Sequence, residues 1–224
     1  MPHASFSPDK DMPRNRPFNM IIAGVGGQGI LRAARLVSGA AHCQGLSVTI
    51  GETFGASRRG GTVLSHIRLA SLQSISTNIG NMIPSGALVP LNMADVIIGL
   101  EPLETLRAAK YLHQKTRVVL NTHQQLPIDV LADKTTSPQI SVIKNRLASL
   151  CSYLWSANAV ELAQQAGDKR TANTVMIGVL AGLEITPIKH ESFLEAIKGQ
   201  FLEPSIQSTN EKAFRLGIKY GRSL

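Results

Sequence analysis

Cysteine is nearly absent: Cys43 and Cys151 are the only two in 224 residues, and they form no CxxC pair. An iron–sulfur cluster usually takes four thiolates, and a structural zinc usually takes four Cys/His ligands at close spacing. The chain is therefore expected to bind no cluster and no metal of its own. The six histidines, His3, His42, His66, His113, His123 and His190, show no HxxxH spacing that would change this. Long apolar runs are missing too; none approaches the roughly 18–20 residues that a membrane-spanning helix needs. Aromatic residues are only 4%. The apolar share is carried by Ala, Gly and Leu, which suits a closely packed α/β core better than a β-sandwich. There is no GxSxG and no GxxxxGK[ST], so neither a nucleophile elbow nor a phosphate loop is expected. No residue is assigned a catalytic role.

The first 17 residues, MPHASFSPDKDMPRNRP, are polar and hold four prolines. They lack the apolar stretch of a secretory signal, so residues 1–17 are expected to be a disordered extension and the protein cytoplasmic. The rest, 18–224, is about the right length for a single domain. The net charge is +8, with Lys and Arg scattered rather than blocked and interleaved with aromatics. Neither nucleic acid nor membrane is expected as a partner. An acidic protein or a phosphate-bearing ligand accounts for the excess as well.

Apolar periodicity places the elements. FNMIIA at 18–23 reads as a buried strand, followed by glycines and by helical spacing over 30–44, with Gly45 at the helix end. Leu46–Ile50 is a second strand, so the chain opens as βαβ and a parallel pair is expected. Thr62–Leu69 is a third strand, with His66 and Arg68 on one face. DVIIGL at 95–100 and RVVL at 117–120 are continuous apolar strands of the kind buried on both sides. Pro102 opens a helix over 102–112, and Ser141–Ile143 is read as a further short strand. From about Trp155 the pattern turns helical: 156–165, 171–183, 191–200 and 208–219. These helices are expected to cover one face of the same sheet. The fold class is a three-layer α/β/α architecture with a mostly parallel, Rossmann-like sheet and C-terminal helices.

Two glycine-rich segments stand out. Gly24-Val25-Gly26-Gly27-Gln28-Gly29 satisfies GxGxxG and falls between a strand and a helix, where backbone N–H groups and a positive helix end receive anions. Arg32 and Arg35 follow in the first two turns, where the helix dipole disfavours cations; either an anion lies nearby or both face solvent. Residues 51–61, GETFGASRRGG, join four glycines and two adjacent arginines to a hydroxyl. Such a loop suits phosphate or carboxylate, or it simply connects two strands. Glu52 is near the place where a dinucleotide-binding fold keeps its ribose-holding acid. Glu101 and Glu104, early in the helix opened by Pro102, are accounted for by the helix dipole. His66, on a strand, is read as a packed or surface histidine rather than a base.

Taken in order, GVGGQGI at 24–30, GETFGASRRGGTVLSHIRL at 51–69, ADVIIGLEPLETLRAAKYL at 94–112, VVLNT at 118–122, ANTVMIGVLAG at 172–182 and STNEKAFRLG at 208–217 resemble the gamma-type subunit of the 2-oxoacid:ferredoxin oxidoreductases. The resemblance covers about residues 18–220. SRRGGTVLSHIR is most similar to the indolepyruvate oxidoreductase beta subunit, with Arg58 standing where that subunit usually has glutamine. Pyruvate and 2-oxoglutarate relatives tend instead to carry a glutamate near Ala56 or Ser57.

The resemblance implies that 18–224 is one gamma-like catalytic domain. It implies a larger partner subunit carrying thiamine pyrophosphate and iron–sulfur clusters. The complex would decarboxylate a 2-oxoacid (indolepyruvate or another arylpyruvate), release an acyl-CoA and pass electrons to ferredoxin. Alone, the chain would have no oxidoreductase activity and no chromophore. The surface expected to receive an anion or face the partner's active site is Gly26, Gly27, Gln28 and Gly29 with Ser57, Arg58, Arg59, Gly60 and Gly61. The competing reading is a free-standing nucleotide-binding dehydrogenase or reductase; a third is a subunit whose loops form only an interface.

Overall fold

A computed structural model describes residue 13 and residues 16–55, 61–71, 86–124 and 138–224. The expectation of disorder over 1–17 falls almost wholly outside the described residues, as does that part of the basic loop from 56 to 60. Among the described residues, no helix is long and apolar enough to cross a membrane.

Strand β1 (Phe18–Val25) is buried along nearly its full length, because it feeds two cores at once. Phe18, Met20 and Ile22 enter one, and Ile21 and Ala23 enter the other. β4 (Val96–Gly99) and β5 (Arg117–Asn121) divide their side chains the same way, Val96, Ile98 and Val119 against Ile97, Val118 and Leu120. A strand's side chains alternate between faces, so a continuous apolar run needs cover on both. With β2 (Leu46–Phe54), β3 (Thr62–Ser71) and β6 (Tyr153–Ala157), they form a six-stranded sheet in the order β2-β3-β1-β4-β5-β6. β1, β4, β5 and β6 pair in parallel, and β3 is antiparallel to both β1 and β2.

One face is covered by α1 (Ile30–Cys43) and by α4 (Ala159–Ala166), α5 (Ala172–Gly182), α6 (His190–Gln200) and α7 (Pro204–Gly221). The other is covered by α2 (Pro102–Arg107) with its 3-10 continuation Ala108–Tyr111 and by α3 (Ile140–Leu150). The three-layer, mostly parallel architecture read from the sequence is the one found. The C-terminal helices share their core with the sheet, Val175, Phe193 and Phe214 packing in one cluster with Phe18 and Ile22.

Three details differ from the sequence reading. β1 and β2 run in the same direction but are not neighbours, because β3 doubles back and inserts between them. Residues 141–143 lie in the first turn of α3, not in a strand. The sixth strand is instead Tyr153–Ala157, just before the helical half.

α5 and α7 meet through four glycines. A Cβ on Gly178 would lie 2.2 Å from Phe214 O, and one on Gly217 would lie 2.3 Å from Val175 O. Gly182 and Gly221 face Ile218 O and Val179 O, both at 2.4 Å from the ideal Cβ. The backbones therefore touch, and no larger residue fits at these positions.

Candidate functional site

The carboxyl ends of β1 and β4 form the place where the connections part: α1 follows β1 onto one face of the sheet, and α2 follows β4 onto the other. Crevices in open α/β sheets form at such a switch point. Gly24 lies on its wall; a Cβ there would come within 2.7 Å of Gln28 Oε1 and 3.2 Å of Leu100 Cβ. The Gln28 side chain folds back to accept the Val25 N–H at 2.9 Å, while the Gln28 N–H donates to Val25 O at 3.1 Å. These two bonds close the loop. Gly27 and Gly29 hold positive φ of 103° and 79°, which glycine adopts without strain. Gly26 and Gly27 are exposed. Helix α1 begins with no side-chain cap and no acid in its first turn.

The second loop reaches the same edge. β2 and β1 run in the same direction, so the segment leaving Gly55 starts at this end, and β3 begins here at Thr62. Gly55 N–H donates to Thr62 O at 2.7 Å, closing the base of that loop. The Gly26 N–H donates to Gly61 O at 3.0 Å, joining the two glycine loops directly. Of the residues expected at this surface, Gly26, Gly27, Gln28, Gly29 and Gly61 are therefore brought together. Ser57, Arg58, Arg59 and Gly60 lie outside the described residues.

Of the two readings of Arg32 and Arg35, the solvent-facing one matches their exposure. Both are exposed, and the Arg32 guanidinium sits 5.9 Å from the centre of the Phe201 ring. Glu101 behaves as a cap: its Oε2 accepts the Glu104 N–H at 2.9 Å. Burial pushes its carboxyl above the ordinary carboxylate range, against the opposing pull of that N–H. Glu104 pairs with Arg107 through one oxygen, while Oε2 is buried without a hydrogen-bond partner among the described residues. His66 is fully buried against Tyr111, 5.3 Å between ring centres, and shares its face with Arg68 as the alternation requires. Its placement in the core agrees with a packed histidine.

Two asparagines brace the site and were not singled out individually from the sequence. Asn121 donates to Leu100 O at 3.0 Å and accepts from Ala159 N at 3.1 Å, tying the ends of β4 and β5 to the start of α4. Asn173, at the start of α5, donates to Gly29 O at 3.2 Å. Its neighbour Thr174 donates to Asn210 of α7 at 2.7 Å. Both asparagines stand in segments that carried the resemblance, VVLNT and ANTVMIGVLAG; only the fold shows that they brace the glycine loop and the neighbouring strand ends.

Residues 19–220 match the pyruvate ferredoxin/flavodoxin oxidoreductase family. The chain belongs to that family. It is 35% identical over 199 residues to an indolepyruvate oxidoreductase subunit IorB from Archaeoglobus fulgidus, covering 89% of this chain and 92% of that one. A subunit of the same name from Pyrococcus horikoshii is 35% identical over 210 residues, 93% and 98% of the two chains. Among solved structures, the gamma subunit of a keto/oxoacid ferredoxin oxidoreductase from Geobacter sulfurreducens superposes with a TM-score of 0.64. At 17% identity, it covers 92% of this chain and 99% of that one. The family match spans the described residues of both glycine loops, Asn121 and the Asn173–Asn210 brace.

The sheet order weakens the dehydrogenase alternative. A dinucleotide fold holds the ribose with an acid at the end of the strand beside β1. Here Glu52 is exposed on β2, and β3 separates β2 from β1. That places the acid two strand spacings from β1, about 10 Å, where the dinucleotide fold has one.

Proposed function

We propose that this chain is the small subunit of a 2-oxoacid:ferredoxin oxidoreductase acting on indolepyruvate or a related arylpyruvate. The complex oxidatively decarboxylates the 2-oxoacid in the presence of coenzyme A. Acyl-CoA and carbon dioxide leave, and two electrons pass to ferredoxin. A larger subunit supplies thiamine pyrophosphate and the iron–sulfur clusters. The sequence is compatible with that division, since it has two cysteines where an iron–sulfur cluster usually takes four thiolates. The observation that carries the proposal is the identity with the IorB subunits over nearly the full length of both chains.

Within the complex, the joined glycine loops are the surface that faces the partner's active site or the phosphates of coenzyme A. The Gly26–Gly61 hydrogen bond supports this, since it unites both loops at the carboxyl edge. Exposed backbone at Gly26 and Gly27 allows close approach, the uncapped start of α1 favours an anion, and Arg58 and Arg59 supply charge. The test is co-expression with the large subunit and a ferredoxin-reduction assay. Reduction should require both subunits, an arylpyruvate and coenzyme A, and indolepyruvate should be turned over in preference to pyruvate or 2-oxoglutarate. A chain that stays alone and binds a dinucleotide stoichiometrically would sink the proposal.

A further inference from the structure

The family reading makes no use of the far end of the helical layer. There, α6 and α7 form an antiparallel pair, with Phe193 and Phe214 packed at 5.7 Å between ring centres. The end of this pair away from its connecting turn holds a cavity of about 340 Å³ lined by His190, Leu194, Arg215, Ile218, Lys219 and Arg222. Leu194 and Ile218 form an apolar part, and the other four residues are basic. The Gln44 side chain, at the end of α1, accepts the Lys189 N–H at 2.7 Å and donates to Pro187 O, fixing the start of α6. The cavity therefore lies near the terminus of α1 opposite the glycine loop. Helix α1 has 14 residues, which separates the two places by about 20 Å.

Arg215, Lys219 and Arg222 stand four and three residues apart, so they share one stripe of α7. Like charges at this spacing repel. Lys219 and Arg222 can draw on the negative end of the helix, but Arg215 lies nearly two turns from it. None of the three has an ion-pair partner among the described residues. The one carboxylate paired at the rim, Glu191 Oε1, lies 3.1 Å from His190 Nε2 and not on the α7 stripe. Three permanent cations, all solvent-exposed, thus line one open concavity with an apolar patch beside them.

We infer that this cleft between α6 and α7 binds a phosphate-bearing small molecule, its anionic group held by Arg215, Lys219 and Arg222 and its apolar part resting on Leu194 and Ile218. Charge matching favours phosphate: a single carboxylate leaves two of the three cations uncompensated, whereas a diphosphate group carries enough charge and presents oxygens to two guanidinium forks. The volume is within the range of small-ligand sites, roughly 300–1,000 Å³.

Calorimetric titration of the purified full chain with inorganic pyrophosphate tests this, with citrate as a polycarboxylate of similar charge. Wild type should bind pyrophosphate saturably with Kd below about 1 mM. The variant combining Arg215→Gln, Lys219→Gln and Arg222→Gln should bind about tenfold or more weakly while keeping its circular dichroism spectrum. Lys219→Gln alone gives an intermediate loss if the triple variant fails to fold. Lys212→Gln, which removes an exposed α7 cation outside the lining, should leave the affinity unchanged, which ties the binding to the Arg215–Lys219–Arg222 stripe. Absence of saturable binding, equal binding by wild type and the α7 variants, or citrate binding as tightly as pyrophosphate would each overturn the assignment.

Discussion

His66 is a case in which burial is the main cause of a shifted titration. The ring has no exposed surface, its Nδ1 accepts the Val89 N–H at 3.2 Å, and its Nε2 has no hydrogen-bond partner among the described residues. Desolvation, with a smaller contribution from the Lys110 charge, pushes its pKa down from 6.5 to about 4. The unfolded chain takes up a proton near pH 6.5, while the folded chain resists it until about pH 4. Stability from this residue is therefore present above pH 6.5 and is lost as the pH falls toward 4, by at most about 3 kcal/mol. The prediction is that His66→Gln flattens this part of the stability profile. Gln can still accept from Val89, so the cost at pH 7 should be about 1–2 kcal/mol from altered packing. Urea melts of both proteins between pH 4 and pH 7 check it; parallel profiles would show that His66 is not the group responsible.

At the scale of elements, the contact between α5 and α7 depends on glycine. Gly178→Ala would put a methyl group 2.2 Å from Phe214 O, and Gly217→Ala one 2.3 Å from Val175 O. Since the obstacle is backbone, relief requires moving a helix, and overpacking of this kind costs about 1–3 kcal/mol. Gly199 in α6 meets nothing within 4 Å. Gly199→Ala should stabilise by up to about 1 kcal/mol, because alanine favours the helix. Thermal melting of the three variants should show opposite signs for the two classes. If Gly178→Ala and Gly199→Ala shift Tm alike, the close approach of the helices is wrong. The glycines were visible in ANTVMIGVLAG and STNEKAFRLG, but their partners were not, since pairing across 39 residues from Gly178 to Gly217 is a property of the fold. Continuous apolar strands such as VIIG were legible because burial on both faces leaves one pattern. The strand YLWSA was not: it lies at the sheet edge, half-buried, without a run to mark it. The residues SVI invited a strand reading because α3 buries only Ile143 and Leu147, too few to show a helical period.

At the scale of the whole molecule, both glycine motifs were legible as local signals, and the parallel run of strands predicted that they share an edge. The insertion of β3 was not foreseen, yet it strengthens the outcome, because β3 starts at that edge and carries Gly61 to Gly26. The edge thus exposes backbone at Gly26 and Gly27, and in the sequence Arg58 and Arg59 fall between Gly55 and Gly61. The chain carries eight more positive than negative charges; two of the cations are these arginines. Replacing both with alanine should change the stability of the chain by no more than about 0.5 kcal/mol, the scale for side chains that make no packed or capping contact. The effect belongs in the assembled complex. Should the pair serve docking, less complex will form with the large subunit, and the loss will be masked by raising subunit concentration. Should it bind the anionic ligand, the complex will form normally but the Michaelis constant for coenzyme A or the 2-oxoacid will rise about tenfold, the scale of one charge-assisted contact. Size-exclusion chromatography and steady-state ferredoxin reduction on one preparation distinguish the two. Normal assembly with unchanged rate and unchanged Michaelis constants for both substrates would reduce the loop to a connection between β2 and β3.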